Sequence, residues 1–292
     1  MRLGTRQYSP LRYLGGKSAM VKNLLPLLPP HDCYVEVFGG GASVLFAKQP
    51  AAVEVYNDLD EHVVNFFRVL RDPKLSLELQ RVLRLTPYSR VEYYEALECL
   101  KRGDFESSIE RAAMLFIINR QSFAGIMQRP CWGYSSKGCG APGVWRNVVD
   151  NLHLFAERLR TVFIDCRDFR EVIPAWDSRE TLFYCDPPYI VETRKDKSPD
   201  YRVEMTLRDH IDLHHLLLCC QGMVVLSGYR HAAHTVLEAA GWKRWDFEAV
   251  VHSQAVTGER RHTGTQRPRV IESVWLNPAA QERRGIQQEL KL

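Results

Sequence analysis

The chain has 292 residues, 45% of them hydrophobic, which suits a proper core in one large domain carrying an insertion, or two domains at most. No apolar run approaches the ~18 residues of a membrane span, and the first eighteen residues hold Arg2, Arg6, Arg12 and Lys17 without the apolar stretch of a secretion signal. A net charge of +4 says little about partners, and eight scattered cysteines without a CxxC pair read as reduced thiols of a cytoplasmic protein, not as a disulfide or zinc framework.

In chain order, residues 34–38 (YVEVF) form a short β-branched and aromatic run that stops at Gly39-Gly40-Gly41 before the helical residues 42–47. A second strand over 52–56 ends at Asn57-Asp58, and a helical pattern runs from 61 to 70. From about 73 to 151 the alternation yields to helical, charged sequence and then to a Gly-, Pro- and Trp-rich stretch over 129–144, which reads as an inserted domain. Strands resume at 162–164, 181–185, 223–227 and 270–276, separated by helical segments such as 207–220. The polar stretches 192–206 and 252–269 lack apolar periodicity and are expected to be loops, and 281–292 a frayed tail. The expected fold is α/β: a mostly parallel sheet with helices on both faces, which binds ligands at the carboxyl ends of its strands. Residues 1–72 and 152–280 supply that unit, and 73–151 the mainly helical insert.

A strand, a glycine turn, a helix and an acid some 20 residues later is how a Rossmann-like fold holds a nucleoside. Here the turn is Gly39-Gly40-Gly41 and the acid Asp58, whose carboxylate suits two ribose hydroxyls. The full dinucleotide signature fails at Val44, which counts against NAD, and Gly16-Lys17-Ser18 lacks both the upstream glycine (Leu11 stands there) and the leading strand of a P-loop.

The run over 181–185 (TLFYC) ends in Asp186-Pro187-Pro188-Tyr189, where two prolines force the chain out of the sheet. Methylation of a planar amine needs this arrangement, because the amine's lone pair is delocalised into the ring. Acceptors from Asp186 and the Pro187 carbonyl, gripping the two N–H bonds, favour a tetrahedral nitrogen aimed at the methyl donor. Tyr189 suits stacking on a base flipped from its duplex. The sulfonium of S-adenosylmethionine supplies the electrophile, so no metal is required. The same grip serves adenine N6, cytosine N4 or an RNA amine, and a DNA-binding regulator with the fold but no turnover is the reading from another class.

Charge is unevenly distributed. Between residues 111 and 149 stand Arg111, Arg120, Arg129, Lys137 and Arg146 with no Asp or Glu, interleaved with Phe123, Trp132, Tyr134 and Trp145. A polyanion is the natural partner for such a surface, although the same arginines could cap helices or pair with acids elsewhere. Arg260, Arg261, His262, Arg267 and Arg269 form a second basic stretch that could clamp phosphates or lie in a solvated loop. His210, His214 and His215 share a helix without a placed third metal ligand, and read as a helix surface or partly buried histidines.

With these motifs in hand, the sequence resembles the D12 class of DNA adenine methyltransferases, the group of the bacterial Dam enzymes, from Leu11 to about Asn277. Residues 11–17 (LRYLGGK) resemble the family's N-terminal cofactor motif, which implies contacts to S-adenosylmethionine from Tyr13, Gly16 and Lys17. Residues 35–43 resemble its glycine motif, implying cofactor roles for Glu36, Phe38, Gly39, Gly40, Gly41 and Ser43, with Asp58 as ribose acid. Cys166-Arg167-Asp168-Phe169 is similar to the segment around the cofactor's adenine ring, which adds Asp168 and Phe169, and Asp186 borders the same site. Residues 119–125 (NRQSFAG) are similar to the segment that opens the target-recognition region; it implies DNA contacts from Asn119, Arg120, Ser122, Phe123 and Gly125, with Arg129, Lys137 and Arg146 following in the basic stretch. Ala124 and Gly228 stand where relatives often carry asparagine, and residues 272–277 resemble the last strand. The order of motifs is that of the family's α group. The resemblance implies an adenine-specific enzyme of bacterial cytoplasm, nucleoid or phage, acting on double-stranded DNA as a monomer or a homodimer.

Overall fold

The computed structural model describes residues 8–12, 17, 20–123, 131–134, 140–194, 201–250 and 269–289. A short helix α1 (Val21–Leu24) precedes β1 (Cys33–Glu36), α2 (Ser43–Ala47) and β2 (Val53–Asn57). The helical stretch follows as α3 (Glu61–Arg71), α4 (Pro73–Leu85), α5 (Arg90–Arg102), α6 (Ser108–Gln121), α7 (Gly140–Asp150) and α8 (Leu152–Leu159). Alternation resumes with β3 (Val162–Asp165), α9 (Phe169–Trp176), β4 (Thr181–Cys185), α10 (Leu207–Cys219), β5 (Met223–Gly228) and α11 (Thr235–Ala239). The chain closes with β6 (Lys243–Val250), β7 (Arg269–Leu276) and α12 (Pro278–Glu289). No described helix is long and apolar enough to cross a membrane.

The described strands form one sheet in the order β3-β2-β1-β4-β5-β7-β6, parallel except where β7 runs antiparallel to β5 and β6. This is the mostly parallel α/β architecture expected from the alternation. Its central strand β4 is buried at all five positions, because helices cover both faces and leave no solvated side. Chain order reverses between β1 and β4, whose register pairs Glu36 with Tyr184. Loops leaving two such strands diverge to opposite faces and open a crevice at their carboxyl ends.

The helices α3–α8 do not have a core of their own. Leu79, Leu83, Tyr93, Phe116 and Trp145 belong to the same buried cluster as Tyr34 and Tyr56 of the sheet, with Phe66 stacked on Phe116 at 5.7 Å. The described helices of the 73–151 stretch therefore interrupt the alternation but pack as a layer on one sheet face. The opposite face packs Val35, Phe183 and Leu226 against Phe169, Leu213 and Leu237.

Two expectations are corrected. The polar tail is not frayed up to residue 289: α12 starts where Asn277 Oδ1 accepts from Ala280 N and Val224 N, both at 2.9 Å, and Ala280 is fully buried. The chain also forms a strand, β6, that the periodicity did not reveal. It pairs along its whole length with β7 at the sheet edge, where Trp245 and Phe247 lean on the core between charged neighbours.

Candidate active site

The glycine turn is shaped by what stands beneath it. A Cβ on Gly39 would lie 2.1 Å from Cε2 of Tyr56, a fully buried ring whose hydroxyl donates to the Gly40 carbonyl at 2.9 Å. Gly40, at φ 46°, occupies the left-handed region that glycine alone enters without strain. Asp58, leaving the end of β2, locks onto the same turn: Oδ2 accepts from Gly40 N at 2.7 Å and Oδ1 from Asp60 N at 2.8 Å. Burial pushes the Asp58 carboxyl up to about 6, against the pull of those two N–H groups.

This turn and this acid form one wall of a cleft, together with Phe38, Gly41 and Ser43. Phe38 meets Phe169 at 5.8 Å, and Asp168, which caps α9 by accepting from Arg170 N at 2.8 Å, stands beside it. Glu36 lies at the bottom, accepting from the Tyr34 hydroxyl at 3.0 Å and Leu45 N at 2.9 Å. Burial lifts it to about 8, so at neutral pH it is mostly protonated.

Asp186 and Pro188 border the same cleft from the end of β4, and Pro187 is buried between them. Lys17 supplies the polar partner. Its ammonium sits 2.8 Å from Asp186 Oδ1 and 3.5 Å from Glu272 Oε2, and donates to the Tyr189 hydroxyl. Burial opposes a charge on Lys17, but the Asp186 and Glu272 carboxylates outweigh it and hold the ammonium protonated. Tyr189 is 6% exposed and meets Tyr229 edge-on at 4.6 Å. Its hydroxyl is engaged and its ring covered, which differs from the open stacking face expected. Lys17 was expected at the cofactor; it lines the cleft and also anchors the carboxylate.

The recognition segment is placed differently from expectation. Asn119 is fully buried and Arg120 is 6% exposed, because α6 is enclosed on every side near its end. Asn119 exchanges hydrogen bonds with the backbone of Arg12, at 2.7 and 2.5 Å. Arg120 donates from Nε to the Pro10 carbonyl at 2.6 Å and from a terminal nitrogen to Ser9 at 3.2 Å, and Ser9 in turn donates to the Gly41 carbonyl. Both residues thus pin the N-terminal segment against the glycine turn and do not face outward to DNA. Burial, with Arg12 nearby, lowers Arg120 to about 9. Ser122 is buried too, donating to the Asn119 carbonyl at 3.2 Å; Phe123 is half-buried and Arg146 exposed on α7. Arg111 pairs with Glu61 at 3.4 Å, so part of the basic stretch is neutralised from outside it. Tyr13, Gly16, Ala124, Gly125, Arg129, Lys137, Arg260, Arg261, His262 and Arg267 lie outside the described residues.

Several cleft residues had no sequence signal. Arg170 reaches Asp168 at 3.2 Å and both Asp209 and Asp212 at 2.7 Å, tying α9 to α10 at the rim. Tyr201, Arg202 and Glu204 come from a stretch without periodicity. Of the three histidines on α10, His210 and His214 are buried and His215 is exposed, and His214 Nε2 meets His234 Nδ1 at 3.1 Å. No group of three or more ligating side chains among the described residues is arranged for a metal.

The sequence matches the model of the family described as D12 class N6 adenine-specific DNA methyltransferase over residues 13–237. It is 26% identical over 182 residues to the DNA N-6-adenine-methyltransferase of Escherichia phage P1, covering 62% of this chain and 24% of that protein. It is 26% identical over 184 residues to the DNA adenine methylase of Serratia marcescens, covering 61% and 66%. The DNA adenine methylase of Escherichia coli strain K12 is 22% identical over 182 residues, covering 61% and 64%. The chain spans about a quarter of the phage protein's length and just under two thirds of the two bacterial ones. The family match runs through the glycine turn, Asp58, Asp186–Tyr189 and the five parallel strands β1–β5, and the chain belongs to the D12 class N6 adenine-specific DNA methyltransferases.

Proposed function

We propose that this chain transfers a methyl group from S-adenosylmethionine to N6 of adenine in duplex DNA, acting on a base turned out of the helix. The observation that carries the reading is that Asp186, the glycine turn and Asp58 open on one cleft, at the carboxyl ends of adjacent strands. The cleft suits the cofactor: backbone at Gly39 has no room for a Cβ, a carboxylate stands at the ribose position, and Phe38 and Phe169 offer apolar edges for a purine. Beside the protonated Glu36, its lining holds Asp58, Asp168, Asp186, Glu204 and Asp209 against Lys17, Arg167, Arg170 and Arg202, a small excess of carboxyl groups. That balance favours a cationic sulfonium over a polyphosphate.

S-adenosylmethionine, when bound, supplies a methyl group already activated by the sulfonium. The protein's part is to prepare the amine. Lys17 fixes one oxygen of Asp186 and opposes the rise in its pKa that burial causes, which favours the carboxylate form beside the cleft. That carboxylate and the Pro187 carbonyl take the two N–H bonds of the amine, and Asp186 disperses the proton as the new bond forms. The half-buried ring of Tyr229, packed on the covered Tyr189, offers the base its neighbouring surface. Residues 1–72 and 152–280 carry the chemistry in this reading, and the helical stretch 73–151 faces DNA through residues such as exposed Arg146.

Incubation with labelled S-adenosylmethionine and duplex DNA, followed by digestion to nucleosides, tests the reading. Label in N6-methyladenine is the expected result. Label in N4-methylcytosine, label on RNA alone, or DNA binding without any label would each replace it with a different activity.

A further inference from the structure

Residues 201–205 line the cleft, and a buried cation ties them to the backbone of Tyr189. Arg194 is 7% exposed. Its Nε donates to the Tyr189 carbonyl at 2.9 Å, and its terminal nitrogens pair with both oxygens of Glu204 at 2.8 and 2.7 Å. Glu204 also accepts from Tyr201 N at 2.9 Å, and residues 201–205 line the cleft. Beyond them, Arg202 meets Asp60 Oδ1 at 2.8 Å, and the Asp60 N–H donates to Asp58. Two sets of ion pairs and hydrogen bonds, joined through the backbone between Tyr201 and Arg202, therefore connect the last residue of the Asp-Pro-Pro-Tyr motif to the acid on the far wall of the cleft.

We propose that Arg194 is a positioning residue that couples the Asp186–Tyr189 loop to the 201–205 strap, so that a cofactor pressing on the strap is registered where the amine is held. This rests on the methyltransferase reading of the cleft. The chemistry of the side chain fits the role. A guanidinium is a planar fork that can serve a carboxylate in bidentate fashion and a carbonyl at once, which an ammonium cannot do in the same plane. Because the group is buried, its loss removes a charged donor from both the Tyr189 carbonyl and Glu204. Glu204→Gln weakens the strap half of the tie and leaves the Tyr189 half; Arg194→Lys weakens both.

The test is steady-state methylation of duplex DNA by the full chain, with calorimetric titration of S-adenosylhomocysteine, for wild type, Glu204→Gln, Arg194→Lys and the double variant. All are assayed below their melting temperatures. Glu204→Gln is expected to raise KM for S-adenosylmethionine, and Kd for the product, about tenfold with a smaller fall in kcat, whereas Arg194→Lys also lowers kcat about tenfold or more. The double variant should resemble Arg194→Lys, because both changes act on one tie. Kinetic constants of Arg194→Lys within about twofold of wild type, a purely additive double variant, or a lower melting temperature with unchanged KM and kcat would each overturn the coupling. Those results on an active wild type refute the tie alone. A wild type that neither binds S-adenosylhomocysteine nor methylates DNA refutes the reading of the cleft, and the tie with it.

Discussion

Gly39→Ala isolates the geometry of the glycine turn in a single methyl group. Gly39 is not in the left-handed region, unlike Gly40, so alanine meets no dihedral penalty there and the effect is steric. The added Cβ would stand 2.1, 2.6 and 2.7 Å from three atoms of the Tyr56 ring. Carbon atoms in contact are separated by ~3.5–4.0 Å, so the turn and the ring must part by about 1.5 Å. Tyr56 cannot easily yield, since it is fully buried, lies 4.7 Å from Phe67 and is hydrogen-bonded to Gly40. The turn moves instead, carrying away the Gly40 N–H that meets Asp58. Overpacking of this kind costs ~1–3 kcal/mol of stability. A displacement near 1 Å in the wall of a site costs on the order of 10²-fold in rate. Calorimetric titration with S-adenosylhomocysteine, alongside a melting curve, reads both. Affinity should fall by at least tenfold, about 1.4 kcal/mol, at a temperature where the variant is folded, and Tyr56→Leu in the same chain should restore part of it. Wild-type affinity in Gly39→Ala, or no relief from the second substitution, would refute the steric account of the turn.

Further outcomes follow from the charges. Asp186→Ala should lower kcat on the order of 10²–10³-fold while duplex binding, measured by fluorescence anisotropy, changes little; retained turnover contradicts its role. Lys17→Met leaves Asp186 and Glu272 facing each other without the ammonium between them, so the acid limb of the pH profile for kcat should move to higher pH; an unmoved limb would separate Lys17 from Asp186. Glu54 is buried and receives Lys48 at 2.6 Å and Arg158 at 2.8 Å, so Glu54→Ala should cost ~3–5 kcal/mol in urea unfolding, and a loss below ~1 kcal/mol would mark the pair as peripheral. Burial pushes His210 and His214 down to about 4 and His234 to about 3, below the ordinary 6.5. The unfolded chain therefore takes up protons that the fold refuses, and the histidine contribution to stability is lost as pH falls from about 6.5 to about 4. Melting temperature should drop across that window, less so in His214→Gln; equal slopes in both proteins contradict the assignment.

What the sequence revealed was local. The run 34–38 into three glycines and the run 181–185 into two prolines each announce a strand by residue type alone; the second falls where expected, while the first ends at Glu36, two residues short of Phe38. Asp58 was legible because it follows the second strand at a characteristic distance. The contacts that make these pieces a site are not local: Lys17, Asp186 and Glu272 meet only because β4, β5 and β7 adjoin. Asn119 and Arg120 misled for a related reason. Their polar types suggest a surface, yet α6 is buried on all sides at that end and spends their hydrogen bonds on the backbone of residues 9–12. Strand β6 escaped notice because Arg244, Asp246 and Glu248 alternate with only half-buried aromatics at an edge, and α12 because its polar sequence is held by the Asn277 cap and one buried alanine.

The central claim is that the cleft joining Gly39–Gly41, Asp58 and Asp186 methylates adenine in DNA. Single-molecule sequencing of DNA from a methylation-free host expressing this chain tests it most directly, since modified base and sequence context are read together. N6-methyladenine at a defined motif is the expected result, lost when the host expresses Asp186→Ala instead. Unmodified DNA from a host making folded protein, or N4-methylcytosine in place of methylated adenine, would contradict it.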